Sequence, residues 1–232
     1  MSILLRDIAG LDATEGVSTV IRDPLAAQAR RFISRRLSSG AWKPGDRITI
    51  RSLAKELGIS TTPVREVLLQ LVSSGCLELK QNTAFSVPHM PLDVYLETRR
   101  LRVLLEGEAA AVAACRATPS EVQGLADIHA RLEAAERSND IPRALEWNRA
   151  FHLTLVDLSR LRTLATFVET LWLRSGPMLN AIYPRVTSWQ QGIYRHDLVL
   201  AGLRERDSEK ARAAIQDDIV AGARQVEATL RG

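Results

Sequence analysis

The chain has 232 residues, 46% of them apolar and 25% charged, which is enough apolar material for packed cores and an ordinary charge content for a water-soluble protein. Its net charge of +4 is unevenly placed: residues 1–90 hold 12 Lys and Arg against 8 Asp and Glu, and residues 91–232 hold 19 against 19. No apolar run approaches the roughly 18–20 residues that a membrane helix needs. The first residues lack the cationic start, long apolar stretch and cleavage site of a secretion signal. Cys76 and Cys115 stand alone without CxxC spacing, so the expectation is a cytoplasmic protein with two buried, reduced thiols.

Residues 1–23 show little periodicity and read as an N-terminal arm. Residues 24–87 are expected to form one small domain, and its centre is the most informative part of the chain. Leu53, Ala54 and Leu57 give a short helix one apolar face, and Gly58 supplies the left-handed residue that stops it. Ser60 or Thr61 can cap a following helix, with Pro63 suited to its first turn. Val64, Val67, Leu68 and Leu71 make the buried face of that second helix and leave Thr61, Thr62, Arg65 and Glu66 outward at its N-terminal end. A hairpin follows, from Leu77–Lys80 through a polar tip, Gln81, Asn82 and Thr83, to Ala84–Val87. Two short helices joined by a glycine turn, then a hairpin, in the segment that carries all the excess positive charge, predict a winged helix-turn-helix that binds DNA.

Pro88 and Pro91 break helix and strand pairing alike, so residues 88–91 read as a linker. Residues 92–232 show only helical periodicity. Leu92–Arg116 is a first helix. A capping box at Thr118–Glu121, with Pro119 behind the cap, opens a second, to about Arg137. Pro142 opens a third, to about Leu158. Leu161 to about Asn180 is a fourth, which Pro177 should bend or end. Ser188–Glu205 and Ser208–Leu230 complete the set. Six helices with short connections predict an antiparallel bundle, and the fold class is mainly α: an N-terminal winged helix-turn-helix with a small β-hairpin wing plus a six-helix bundle.

Four polar residues interrupt apolar helix segments in the bundle: Asn148, His152, His196 and Asp218. Asn148 and His152, at i and i+4, project from one face of the third helix. Inward imidazoles and carboxylates need partners, because unpaired burial is costly. Hydrogen bonds would satisfy them, and so would one divalent ion, for which imidazole with carboxylate suits Zn²⁺, Ni²⁺, Fe²⁺ or Mn²⁺.

The stretch LAKELGISTTPVREVLLQL, followed by SGCLELKQNTAFSV, resembles the GntR family of bacterial transcription regulators. Residues 24–48 are similar to that family's first helix and link, with a helix ending at Ser38-Ser39-Gly40. The resemblance implies that Arg51, Thr61, Thr62 and Arg65, and Lys80, Asn82 and Thr83 on the wing, face operator DNA, with Lys55 and Lys80 touching phosphates. Two positions depart from the pattern: Thr61 stands where the family usually has a base-reading arginine, and Ala84 where it usually has the wing-tip glycine.

The bundle resembles the FCD ligand-sensing domain of FadR-type members, through ETRRLRVLLEGEAAAVAA, NRAFHLTL and RHDLVLAGLRERDSEKARAAIQDDI. The resemblance implies a metal held by Asn148, His152, His196 and Asp218, an amide replacing the commoner carboxylate and a carboxylate the commoner third imidazole. It also implies a small organic acid as effector, with Arg102 holding its carboxylate; an intrahelical pair between Arg102 and Glu106 is the alternative. Arg174 and Tyr194 are further pocket candidates. The expected protein is a homodimeric, ligand-responsive regulator on an inverted-repeat operator and not an enzyme. The rival readings are a metal-dependent enzyme acting on a small acid and a constitutive architectural DNA-binding protein. No Gly-rich phosphate loop, nucleophile elbow or HExxH favours the first, and the charge-neutral C-terminal part argues against the second.

Overall fold

The computed structural model describes residues 24–39, 41–80, 84–182 and 189–231, without the side chains of 179–182, 189–194, 225 and 229. The N-terminal arm therefore lies outside the described residues. Within them are nine helices and three short strands: α1 (Leu25–Ser38), β1 (Arg47–Ile48), α2 (Ile50–Leu57), α3 (Thr61–Ser73), β2 (Glu78–Lys80), β3 (Ala84–Ser86), α4 (Leu92–Arg116), α5 (Pro119–Arg137), α6 (Ile141–Leu158), α7 (Arg162–Ile182), α8 (Trp189–Glu205) and α9 (Ser208–Arg231).

The N-terminal unit closes around Ile33, Leu37, Leu53, Val64, Leu68, Leu71, Leu77 and Phe85. Thr49 caps α2 by accepting from the Ser52 N–H, and Gly58 ends it at φ +65°. The Ile59 N–H then bonds back to the Ala54 carbonyl, which satisfies a carbonyl the helix end would otherwise orphan. The wing is three-stranded, in the order β1-β3-β2 and antiparallel throughout. Strand β1 is only Arg47–Ile48, paired with Ser86 and Phe85, too short to carry an alternating pattern that sequence could reveal.

The bundle core runs through Ala110 and Ala114 of α4, Leu125 and Leu132 of α5, Phe151 and Leu155 of α6, Val199 and Leu203 of α8, and Ala211 and Ile215 of α9. Small residues on α4 let α9 lie close. A Cβ at Gly107 would come within 2.5 Å of the Gln216 side chain. The capping box of α5 forms as the sequence predicts, Thr118 and Glu121 exchanging bonds across the first turn. Asp140 caps α6.

Cys115, expected to be buried, is exposed. Pro177, expected to bend or end the fourth bundle helix, lies inside α7 and does not end it. An interior proline costs roughly 3 kcal/mol, and here packing on both sides of that turn compensates. Trp172 is buried in the bundle and Leu173 in the core of the N-terminal unit. Gly176 meets the α1 backbone so closely that a Cβ would fall 2.8 Å from Ser38 Cα. Helix α7 is thus shared by both units.

Candidate functional site

The outward face of α2 and α3 presents Arg51, Lys55, Thr61, Thr62 and Arg65, all exposed, while Val64, Val67, Leu68 and Leu71 hold the opposite face of α3 in the core. Amphipathic spacing fixes that division, and the Gly58 turn places the N-terminal end of α3 at the surface. Lys80 is exposed on β2 and paired with Glu78 at 2.8 Å. Asn82 and Thr83 lie outside the described residues.

A chain of polar side chains is assembled inside the bundle. Glu106 of α4, fully buried, accepts from Arg102 Nε at 2.6 Å through one oxygen and meets His152 Nδ1 at 2.7 Å through the other. The far nitrogen of His152, Nε2, lies 3.1 Å from Asp218 Oδ2, and His196 Nε2 lies 3.6 Å from the same oxygen. Arg102 stacks on Trp172, 3.8 Å from the ring centroid. His196 is clamped in parallel against Phe151 at 3.9 Å and is 1% exposed, yet neither of its ring nitrogens has a hydrogen-bond partner.

Electrostatics follow from this order. Burial opposes ionisation of Glu106, but Arg102 and His152 outweigh it and hold its carboxyl below the usual range. Burial likewise pushes His152 down, but Glu106 and Asp218 on its two sides outweigh it and raise its pKa above the ordinary imidazole value. Burial lowers that of His196, and the Asp218 charge only partly offsets it. Asp218 is held well below the usual carboxylate range by the two imidazoles, against the opposing effect of burial. Near this cluster Glu136 of α5 is pushed up to about 7, by burial first and then by the charges of Glu133 and Asp218.

Ligand atoms of His152, His196 and Asp218 all lie within 4.8 Å of one another. Two ligands on one ion, each about 2.1 Å away, sit at most about 4.2 Å apart, so the group fits a divalent cation with small adjustment. The single lone pair of neutral His196, unclaimed by any hydrogen bond, fits the same purpose. Asn148 stands one turn before His152 on α6, partly exposed. Arg102 makes the intrahelical pair with Glu106. Arg174 is on α7 but faces away from the cluster: its guanidinium lies against Gly75, 3.8 Å from where a Cβ there would stand. The side chain of Tyr194 lies outside the described residues.

Two participants escaped sequence reasoning. Glu106 is a partner of His152 as well as of Arg102, a contact 46 positions apart that no local spacing reveals. His129 on α5 sits with its ring centroid 5.4 Å from that of His196. Its signal was present, since Leu125, Ile128, His129 and Leu132 share one buried face.

A helix-turn-helix with a wing, joined to a helical bundle that gathers Arg102, Glu106, His152, His196 and Asp218 into one internal cluster, defines a class: DNA-binding regulators that carry their own sensing domain. Residues 25–87 match the bacterial regulatory proteins of the gntR family, and residues 97–221 match the FCD domain. The chain belongs to the GntR family of transcription regulators, in its FCD-containing branch. It is 34% identical over 195 residues to the HTH-type transcriptional regulator McbR of Escherichia coli (strain K12), covering 83% of this chain and 88% of that one. It is 32% identical over 132 residues to the Nta operon transcriptional regulator of Aminobacter aminovorans, covering 56% and 61%. The solved structure of E. coli McbR/YncC superimposes with a TM-score of 0.83 at 32% identity, over 90% of this chain and 98% of that one. These relatives are regulators and not enzymes.

Proposed function

We propose that this protein is a homodimeric, cytoplasmic regulator that reads an inverted-repeat operator and responds to a small organic acid bound beside a divalent metal in its bundle. The division of labour is residues 24–87 for DNA, 88–91 as linker and 92–232 for effector and dimerisation. The observation that carries the reading is the convergence of His152, His196 and Asp218 at the bundle centre, with Arg102 and Trp172 on the Glu106 side. The metal is Zn²⁺, Ni²⁺, Fe²⁺ or Mn²⁺, with Asn148 as a further ligand. When bound, it supplies positive charge that draws a carboxylate. The terminal nitrogens of Arg102, whose Nε is committed to Glu106, offer the bidentate grip a carboxylate takes.

Arg51 and Arg65, with Thr61 and Thr62, reach base edges in the major groove, and Lys55 and Lys80, with Asn82 and Thr83, meet the backbone. Helix α7 supports coupling between the two units, because adjacent residues serve both. Trp172 lies against Arg102 and His152, and Leu173 belongs to the DNA-binding core. A ligand that shifts the Arg102–Trp172 stack moves the base on which α1 rests. The exposed apolar side chains of Leu101 and Leu104 on α4 and Phe167 on α7 are the face we assign to the second copy; Phe167→Asp should then sediment as a monomer.

The test is metal content. Protein purified from metal-replete cells should carry an ion that the His152→Ala/His196→Ala variant loses while its helicity stays. Equal metal content in wild type and variant would remove the proposal.

A further inference from the structure

We propose a second divalent-cation site at the junction of α5 and α8, formed by His129, Glu133 and Asp197. His129 and Glu133 stand at i and i+4 on α5, so both project toward α8, where Asp197 follows His196. His129 Nε2 lies 3.3 Å from Asp197 Oδ1 and 3.8 Å from Glu133 Oε1, and ligand atoms of the three lie within 4.8 Å of one another. His129 is 4% exposed, and neither ring nitrogen has a hydrogen-bond partner. A buried imidazole so placed leaves its polar atoms uncompensated, which costs free energy unless something else takes them up. Nε2 faces two carboxylate oxygens, one from each helix.

One imidazole and two carboxylates make a mixed nitrogen and oxygen donor set for a cation of the Zn²⁺, Mn²⁺ or Fe²⁺ type. The separations are close to those that three ligands on one ion adopt. The other oxygen of Glu133 lies 3.6 Å from Arg137, which leaves Oε1 for the cation. Glu133 and Asp197 bring two carboxylates to the His129 ring, and a doubly positive ion offsets their charge. The Asp197 side chain is 58% exposed, so the ion enters from solvent and water fills its open positions.

This site is separate from the His152–His196–Asp218 cluster, although the two touch where the His129 and His196 rings meet edge to face. An ion here ties α5 to α8 at the residue beside His196. Occupancy of the outer site thereby holds in place a ligand of the inner one.

The experiment uses the full chain, stripped with chelator and dialysed against Zn²⁺ alone, with bound metal counted per chain by mass spectrometry. Wild type is expected to hold two equivalents. Glu133→Gln/Asp197→Asn, both at partly or fully exposed positions, should hold one, and His152→Ala/His196→Ala should also hold one. The outer site is overturned if wild type holds a single ion that survives Glu133→Gln/Asp197→Asn, if that variant binds as much as wild type, or if wild type binds none. A single ion lost with Glu133→Gln/Asp197→Asn but kept by His152→Ala/His196→Ala would uphold the outer site and remove the inner one.

Discussion

Replacing Glu106 by glutamine tests how the bundle centre is held together. Glu106 is fully buried and makes bonds of 2.6 Å and 2.7 Å to Arg102 and His152. Charge-assisted bonds contribute roughly 1.5–3 kcal/mol and neutral ones roughly 0.5–1.5. Glutamine keeps a bond to the charged Arg102 but removes its countercharge, and makes the His152 bond a neutral one, so it should destabilise the fold by about 2 kcal/mol. Glu106→Ala leaves the Arg102 charge buried without a partner and should cost roughly 3–5 kcal/mol. Glutamine has a further consequence. Arg102 can only donate, so the amide oxygen must face it and the amide nitrogen must face His152 Nδ1. The imidazole then carries its proton on Nε2, the nitrogen that points at Asp218, and loses the lone pair a cation needs. Zn²⁺ affinity at the inner site should fall roughly 10–100-fold. Urea unfolding of metal-free protein and Zn²⁺ titration by calorimetry read the two effects. A stability change under about 0.5 kcal/mol, ordinary for a surface substitution, together with unaltered Zn²⁺ affinity would refute the reasoning.

Arg65→Ala should cost roughly 1–3 kcal/mol of specific DNA binding and relax preference at one base pair per half-site, whereas Lys55→Ala should weaken all sequences alike and flatten the salt dependence; competition binding with selected duplexes separates them. Gly176→Ala puts a Cβ 2.8 Å from Ser38 Cα, an overlap that should cost roughly 1–3 kcal/mol and blunt the effector response while DNA binding persists, measured by thermal melts and operator titrations with and without effector. Glu136 has a folded pKa raised from 4.5 to about 7, so the folded state binds more protons between those values and stability falls as pH rises through that window. Glu136→Gln should therefore melt above wild type at pH 8 in metal-free protein and no higher near pH 4; a variant that gained as much at the low pH would contradict the sign.

Much of the fold was legible because its signals are local. The capping box at Thr118, the Gly58 stop and the 3.6-residue spacing of Val64, Val67, Leu68 and Leu71 each lie within one or two turns. Whether α7 continues past Pro177 was not legible, because the cost of the proline is local whereas the packing of Trp172, Leu173 and Gly176 that carries the helix through comes from two different units. Strand β1 was missed because its two residues are specified by their partners in β3. In the site, the nearness of His152, His196 and Asp218 followed from family resemblance, with helical spacing accounting only for Asn148 beside His152. The bridge from Glu106 to His152 and the approach of His129 to His196 depend on which helices become neighbours, and no short-range pattern encodes that.

The most direct measurement of the central claim is an operator titration with metal-loaded protein. Duplexes recovered by binding selection from random sequence would serve as the operator, and a panel of small mono- and dicarboxylates would be added in turn. The account predicts that at least one acid changes operator affinity by about 5–150-fold, the usual range of coupling between two sites, and that Arg102→Ala abolishes the change while leaving the unliganded affinity intact. An operator bound with the same affinity in the presence of every acid, or a response retained in full by Arg102→Ala, would contradict it.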